Sequence, residues 1–142
     1  MMIIIVTTNH HFPPPHYSVP IVYRQSYSYS YRSHYGGGDR VCESSSKAFI
    51  FSFINRDNLG PFQSKLYRNT HNAICSKFDE GPSFSTDIRI KDFAGKNKIS
   101  ESSLGYTYKP PVGYSYGEQK TKSLLAGSEH FQPDEIEVFY EV

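Results

Sequence analysis

From Lys47 onward the apolar residues recur at every second position over short stretches, and no window sustains the 3.6-residue period of an amphipathic helix. A chain patterned this way buries its apolar side chains by pairing strands, because successive strand residues point to opposite faces. KAFIFSFIN (47–55) carries Phe49, Phe51 and Phe53 on one side and Ile50 and Ile54 on the other, which predicts a strand inside a sheet, covered on both faces. RDNLGP (56–61) reads as a turn, since Asp, Asn and Gly tolerate its dihedral angles and Pro61 stops pairing. HNAICSKF (71–78) predicts a second strand and DEGPS (79–83) a loop. FSTDIRIKDF (84–93) predicts a third strand, with Ile88 and Ile90 facing away from Asp87, Arg89 and Lys91. A polar connection (94–103) leads to a fourth short strand, LGYTYKPP (104–111), ended by two prolines that cannot donate to a ladder. A long exposed loop, VGYSYGEQKTK, precedes a fifth strand, SLLAGSEHF (123–131). The last stretch, FQPDEIEVFYEV (131–142), starts at the Pro133–Asp134 turn and sets Ile136, Val138, Tyr140 and Val142 against Glu135, Glu137 and Glu141. The fifth strand is expected to close a hairpin with it. Short strands joined by polar turns predict a mainly β protein, an antiparallel sheet or sandwich with little helix.

Residues 1–46 have a different texture. Pro, Ser, Gly, His and Tyr dominate, Leu is absent, and beyond the initial Ile run little apolar surface is available to offset the entropy of ordering. The expectation is a low-complexity, mostly disordered segment followed by one domain over 47–142. Tyrosines interleaved with Arg24, Arg32 and Arg40 offer stacking groups for single-stranded RNA, but three arginines are few, and a net charge of +1 over 142 residues gives no field that draws nucleic acid or a membrane surface. The initial Met1–Val6 run is too short for a signal peptide and is not preceded by basic residues, and no stretch approaches the roughly 20 apolar residues of a membrane helix. Cys42 and Cys75 sit in unrelated contexts with no CxxC, which fits a reducing compartment and argues against a structural disulfide or zinc site. An intracellular, cytoplasmic protein with no membrane insertion is expected.

The candidate chemistry is sparse. The carboxylates Asp134, Glu135, Glu137 and Glu141 read as the solvated face of a strand, because a glycosidase-like pair needs a cleft between elements. Histidines 10, 11, 16 and 34 have no spacing that fixes a metal geometry. His71 has no nucleophile or orienting acid placed by any motif. His130 lies beside Glu129 and near Ser128, but neighbours on a strand face opposite ways and do not converge on one substrate. Cys75 reads as a small buried hydrophobe, with a redox-sensing thiol as the sharper alternative. No cofactor is implied.

Taken together, AFIFSFINRDNL, NAICSKFDEGPSF, DIRI and LLAGSEHFQPDEIEVF resemble, in order and spacing, the C-terminal half of a TLDc domain of the fungal type. The matching positions are Phe51 and Phe53 of the FSF triplet, Asn55 and Asn58 of N-x-x-N, Gly81, Pro82 and Phe84 of G-P-x-F, and Glu135 to Phe139 of the last strand. The strand and helix region that opens the family domain has no counterpart in residues 1–46, so a partial domain is expected, and the complete domain is α+β. Where the family has glycines after G-P-x-F, this chain has Ser85 and Thr86, which puts a tight backbone geometry in question. The resemblance implies a non-enzymatic protein-interaction module linked to oxidative-stress resistance and to regulation of the vacuolar proton-pumping ATPase. On that reading the contact surface is placed at Glu129, His130, Gln132, Glu135, Glu137 and Glu141, facing a basic partner. The alternatives are an enzyme or redox-active protein using His130 with nearby carboxylates or Cys75, and a degenerate fragment with no function of its own. A half-domain with unpaired strand edges is also expected to self-associate.

Overall fold

The computed structural model describes residues 2–8, 17–23, 40–77 and 80–140. The protein is mainly β, as the period-two pattern predicts. In chain order the strands are β1 (Met2–Thr8), β2 (Tyr17–Tyr23), β3 (Val41–Glu43), β4 (Phe49–Ser52), β5 (Phe62–Lys65), β6 (Ile74–Lys77), β7 (Glu80–Phe84), β8 (Ile88–Lys91), β9 (Ser100–Ser102), β10 (His130–Phe131) and β11 (Glu135–Tyr140). One helical turn, α1 (Gln119–Lys122), lies between β9 and β10. Among the described residues all strand pairs are antiparallel and form three sheets, ordered β11-β1-β2, β10-β9-β8-β7-β6-β3 and β4-β5. Strands β1, β2 and β3 lie within the segment 1–46, and β1 pairs with β11 while β3 pairs with β6. The rest of the disorder expected before residue 40 lies outside the described residues.

The core gathers around the six-stranded sheet. Ile88 and Ile90 point inward from β8 while Arg89 and Lys91 stay half-exposed, the alternation read from the sequence. Phe84, Tyr108, Ile50, Leu104, Leu124, Leu125 and Phe131 complete one continuous cluster. The Phe84 and Tyr108 rings meet edge-on with centroids 6.3 Å apart, a geometry that suits the aromatic quadrupole. Tyr108 is fully buried and satisfies its hydroxyl by donating to the Ala73 carbonyl at 2.6 Å.

Individual strands depart from the sequence pattern in several places. β4 is not flanked on both sides by ladder partners: among the described residues it pairs with β5 alone, with β2 lying alongside. The rings of Phe49, Phe51 and Phe53 follow one another along one side, tilted and then edge-on, at centroid spacings of 6.1 and 5.1 Å, and Phe53 is 57% exposed. Residues 80–83 of the expected DEGPS loop belong instead to β7, whose register against β8 shifts between Glu80 and Ser83 and so accommodates Gly81 and Pro82, while Asp79 lies outside the described residues. The stretch 84–93 is broken by a turn at residues 85–87, so Phe84 ends β7 and Ile88–Lys91 forms the separate strand β8. The polar connection 94–103 contains β9. Among the described residues the ladder of LGYTYKPP is limited to the bridge Leu66–Tyr108 and its two flanking bonds, because Pro110 and Pro111 end it. The fifth strand shrinks to β10: residues 123–126 form a buried turn after α1, and Arg56 donates its N–H to the Leu124 carbonyl at 3.0 Å. β10 pairs with β9, and β11 with β1, so the expected terminal hairpin does not form.

The cysteine expectation is also corrected. Cys42 and Cys75 form a disulfide across β3 and β6, where they stand directly opposite each other in the register. Their separation of 33 residues hid this, because only the pairing of two distant short strands brings the Cα atoms to 4.1 Å. No helix among the described residues is long and apolar enough to cross a membrane.

Candidate interaction surface

The surface is organised from below by Asp87. The sequence places it on the wet face of a strand, but it lies in the turn between β7 and β8 and is fully buried. Its Oδ1 accepts the backbone N–H groups of Gly105 (2.7 Å) and Tyr108 (3.1 Å), and its Oδ2 accepts that of Thr107 (2.9 Å). Its own carbonyl accepts Ser103 N–H at 2.9 Å. Burial outweighs these donors and pushes the carboxyl up to about 7. Ser85, where the resemblance leads one to expect glycine, itself takes the left-handed conformation, with φ 56°. Thr107 Oγ1 donates to Ser85 Oγ at 2.8 Å, and Arg40 donates to the Ser85 carbonyl. The tight geometry is therefore kept, at the cost of placing a side chain where glycine is favoured.

Held from that side, residues 105–109 run antiparallel to residues 65–69. Tyr67 N–H donates to the Thr107 carbonyl (3.1 Å) and Lys109 N–H to the Lys65 carbonyl (2.8 Å). Arg68 lies across the end of this ladder, its Nε donating to the Tyr106 carbonyl (2.9 Å) and its Nη2 to the Gly105 carbonyl (2.6 Å). Tyr67 Oη donates to the Gly105 carbonyl at 2.5 Å, and Asn69 Nδ2 to the Tyr106 carbonyl at 3.1 Å. The guanidinium sits 5.1 Å from the Tyr67 ring centre and 5.3 Å from that of Tyr116, within cation–π range. Tyr116 in turn lies 5.6 Å from Tyr106. Gly105, at φ 109°, is required here: a Cβ would come within 3.1 Å of the Tyr116 backbone. Tyr67 and Tyr116 remain 44% and 47% exposed. The result is a fixed corner of tyrosines around an arginine, facing solvent.

At the other end of the ladder, Lys65 and Lys109 face each other across the strands and line an open groove of about 270 Å³ with Phe62, Leu66, Pro110 and Pro111. Neither lysine has an ion-pair partner among the described residues.

The residues singled out from the sequence are placed elsewhere and do not converge. Glu129 pairs with Lys122 at 2.8 Å, while His130 stands opposite Glu101 with 3.8 Å between Nε2 and Oε1. Glu101 also pairs with Arg89, and Glu80 with Lys91, so His130 stands beside a row of cross-strand ion pairs on the sheet. Gln132 donates to the Gly95 carbonyl at 2.7 Å. Glu135 is exposed, and so is Ile136, which the alternation placed inside. The Glu137 side chain and Glu141 lie outside the described residues. Among the motif residues, Asn55 is buried and closes the β4–β5 connection, its amide donating to the Leu59 carbonyl (3.0 Å) and its Oδ1 accepting Leu59 N–H (2.9 Å). Asn58 supplies the left-handed residue at φ 54°, and Phe84 packs in the core. Gly81 approaches Ile90, whose carbonyl oxygen would lie 3.3 Å from a Cβ. Cys75 is one half of the disulfide, and among the described residues no group of three or more His, Cys, Asp or Glu is placed to hold a metal ion.

Fold and surface together define an antiparallel β protein presenting a preorganised tyrosine–arginine corner. No protein-family model, curated protein or solved structure matches the chain.

Proposed function

We propose that the chain acts as a protein-interaction module of the TLDc type, with a subunit of the vacuolar proton-pumping ATPase as partner and oxidative-stress resistance as its setting. The observation that carries the interaction reading is the Tyr67–Arg68–Tyr116 corner. Tyr and Arg are the residues most often dominant in protein interfaces, and here backbone carbonyls already fix Arg68 while its guanidinium holds the rings. Side chains ordered before contact lose less entropy on binding. The choice of partner rests on the resemblance in motif order alone.

The test is capture of purified cytosolic pump sector by the immobilised 142-residue chain. Capture should weaken at least about tenfold in Tyr67→Ala/Arg68→Ala, the scale expected when interface anchors are truncated. Equal capture by that variant, with loss in Glu135→Lys/Glu137→Lys, moves the contact to the acidic terminal strand. No capture by the wild type removes the pump as partner.

A further inference from the structure

We infer that the groove beside Lys65 and Lys109 takes an acidic peptide segment anchored by large apolar side chains; this rests on the interaction reading above and gives it a ligand chemistry. Like charges directly opposite on paired strands are destabilising. Here Lys109 donates its N–H to the Lys65 carbonyl, so the two side chains leave the ladder on the same side, and no carboxylate among the described residues answers them. Where cations stand on paired strands of the six-stranded sheet they face carboxylates, as in Lys91–Glu80 and Arg89–Glu101. The unanswered pair stands at an apolar groove, where half-buried Phe62 and Leu66 meet the diproline and Val112 is fully exposed. Two ammonium groups beside apolar walls are complementary to carboxylates that alternate with Phe or Leu, as on an extended segment whose side chains alternate in direction.

A single-stranded nucleic acid fits less well. Tracking its backbone requires a series of free cations and open stacking faces. Arg68 is bound to carbonyls and already lies between two of the rings, which leaves the lysine pair.

The experiment is fluorescence anisotropy of a short fluorescein-labelled peptide alternating Glu with Phe and Leu, titrated with the full chain. Saturable binding is expected, weakening with salt, lost when Gln replaces Glu or Ala replaces Phe and Leu, and reduced at least about tenfold by Lys65→Glu or Lys109→Glu, as for truncation of close charge pairs across an interface. Lys109→Arg should retain it. Lys109→Glu should also raise the unfolding midpoint of the free chain, because it replaces a repulsion by an attraction, and this keeps misfolding from mimicking the loss. Binding that ignores both charge reversals, or no saturable binding, overturns the proposal. Displacement by oligothymidylate at equal affinity overturns it in favour of nucleic acid, and a salt-sensitive dimer lost in Lys109→Glu overturns it in favour of a second copy. Because Tyr67→Ala/Arg68→Ala leaves the lysines in place, pump capture and peptide binding fail separately if only one reading is wrong.

Discussion

Asp87 carries more of the structure than any other polar residue described. Replacing it by alanine leaves three buried N–H groups without an acceptor, at about 1–3 kcal/mol each. Asp87→Ala should therefore lower the unfolding free energy by at least about 3 kcal/mol in urea denaturation. Its carboxyl is pushed up to about 7 from 3.8, so between those values the folded chain holds a proton that the unfolded chain has released. Its contribution must fall as pH rises from about 4 to about 7 and stay level above that. Unfolding curves across this range should show the slope, and Asp87→Asn should remove it. A second residue offers a gain. Phe93 is 77% exposed yet sits at φ 55°, a conformation that costs a residue with a Cβ about 1–2 kcal/mol. Phe93→Gly should stabilise the chain by about 0.5–1 kcal/mol, part of the relief being offset by the greater freedom of glycine when unfolded. An unchanged or lower midpoint would show that the Phe93 ring makes contacts worth more than the strain.

At the level of elements, the disulfide ties the edge strand β3 to its neighbour β6 in the six-stranded sheet. Closing a loop of 33 residues restricts the unfolded chain by about 3–4 kcal/mol on the loop-entropy estimate. Reduction should lower stability by about that amount, and Cys42→Ser/Cys75→Ala should reproduce the loss and make the protein indifferent to reductant. Which elements the sequence revealed follows from how local their causes are. Ile88 and Ile90 alternate against charged neighbours, so β8 was legible, as was the turn after β4, where Asn55 and Asn58 act within five residues. β7 was hidden because Gly81 and Pro82 signal a turn unless a bulge absorbs them. The stretch 123–131 is ambiguous in sequence because Leu124, Leu125 and Ala126 are apolar enough for either a strand or a buried turn, and only contact with Arg56 and the core decides between them. The Tyr67–Arg68 corner was illegible for the same reason: it joins residues 67, 68, 105, 106 and 116, and nothing but the pairing of 65–69 with 105–109 brings them together. Even Asp87 left only a faint trace, a Ser-Thr-Asp cluster of the kind that favours turns.

For the whole molecule, one continuous core runs from Ala48 to Phe131, so this region should unfold in a single step. Leu124→Ala, at a fully buried position, should cost about 2–5 kcal/mol and shift the tyrosine-fluorescence and near-UV circular dichroism transitions together. Transitions that separate would mean that the sheets unfold independently. The same whole-molecule view gives the diproline another consequence. A β edge with a long row of free backbone groups is a template on which further copies stack into fibrils. Here the ladder beyond β5 stops at Pro110 and Pro111, which have no N–H to offer, and two copies laid edge to edge would bring four ammonium groups together. The feature that opens a groove to an acidic visitor thus also opposes edge-to-edge stacking at this ladder, and that opposition should weaken first in concentrated salt, where the repulsion is screened.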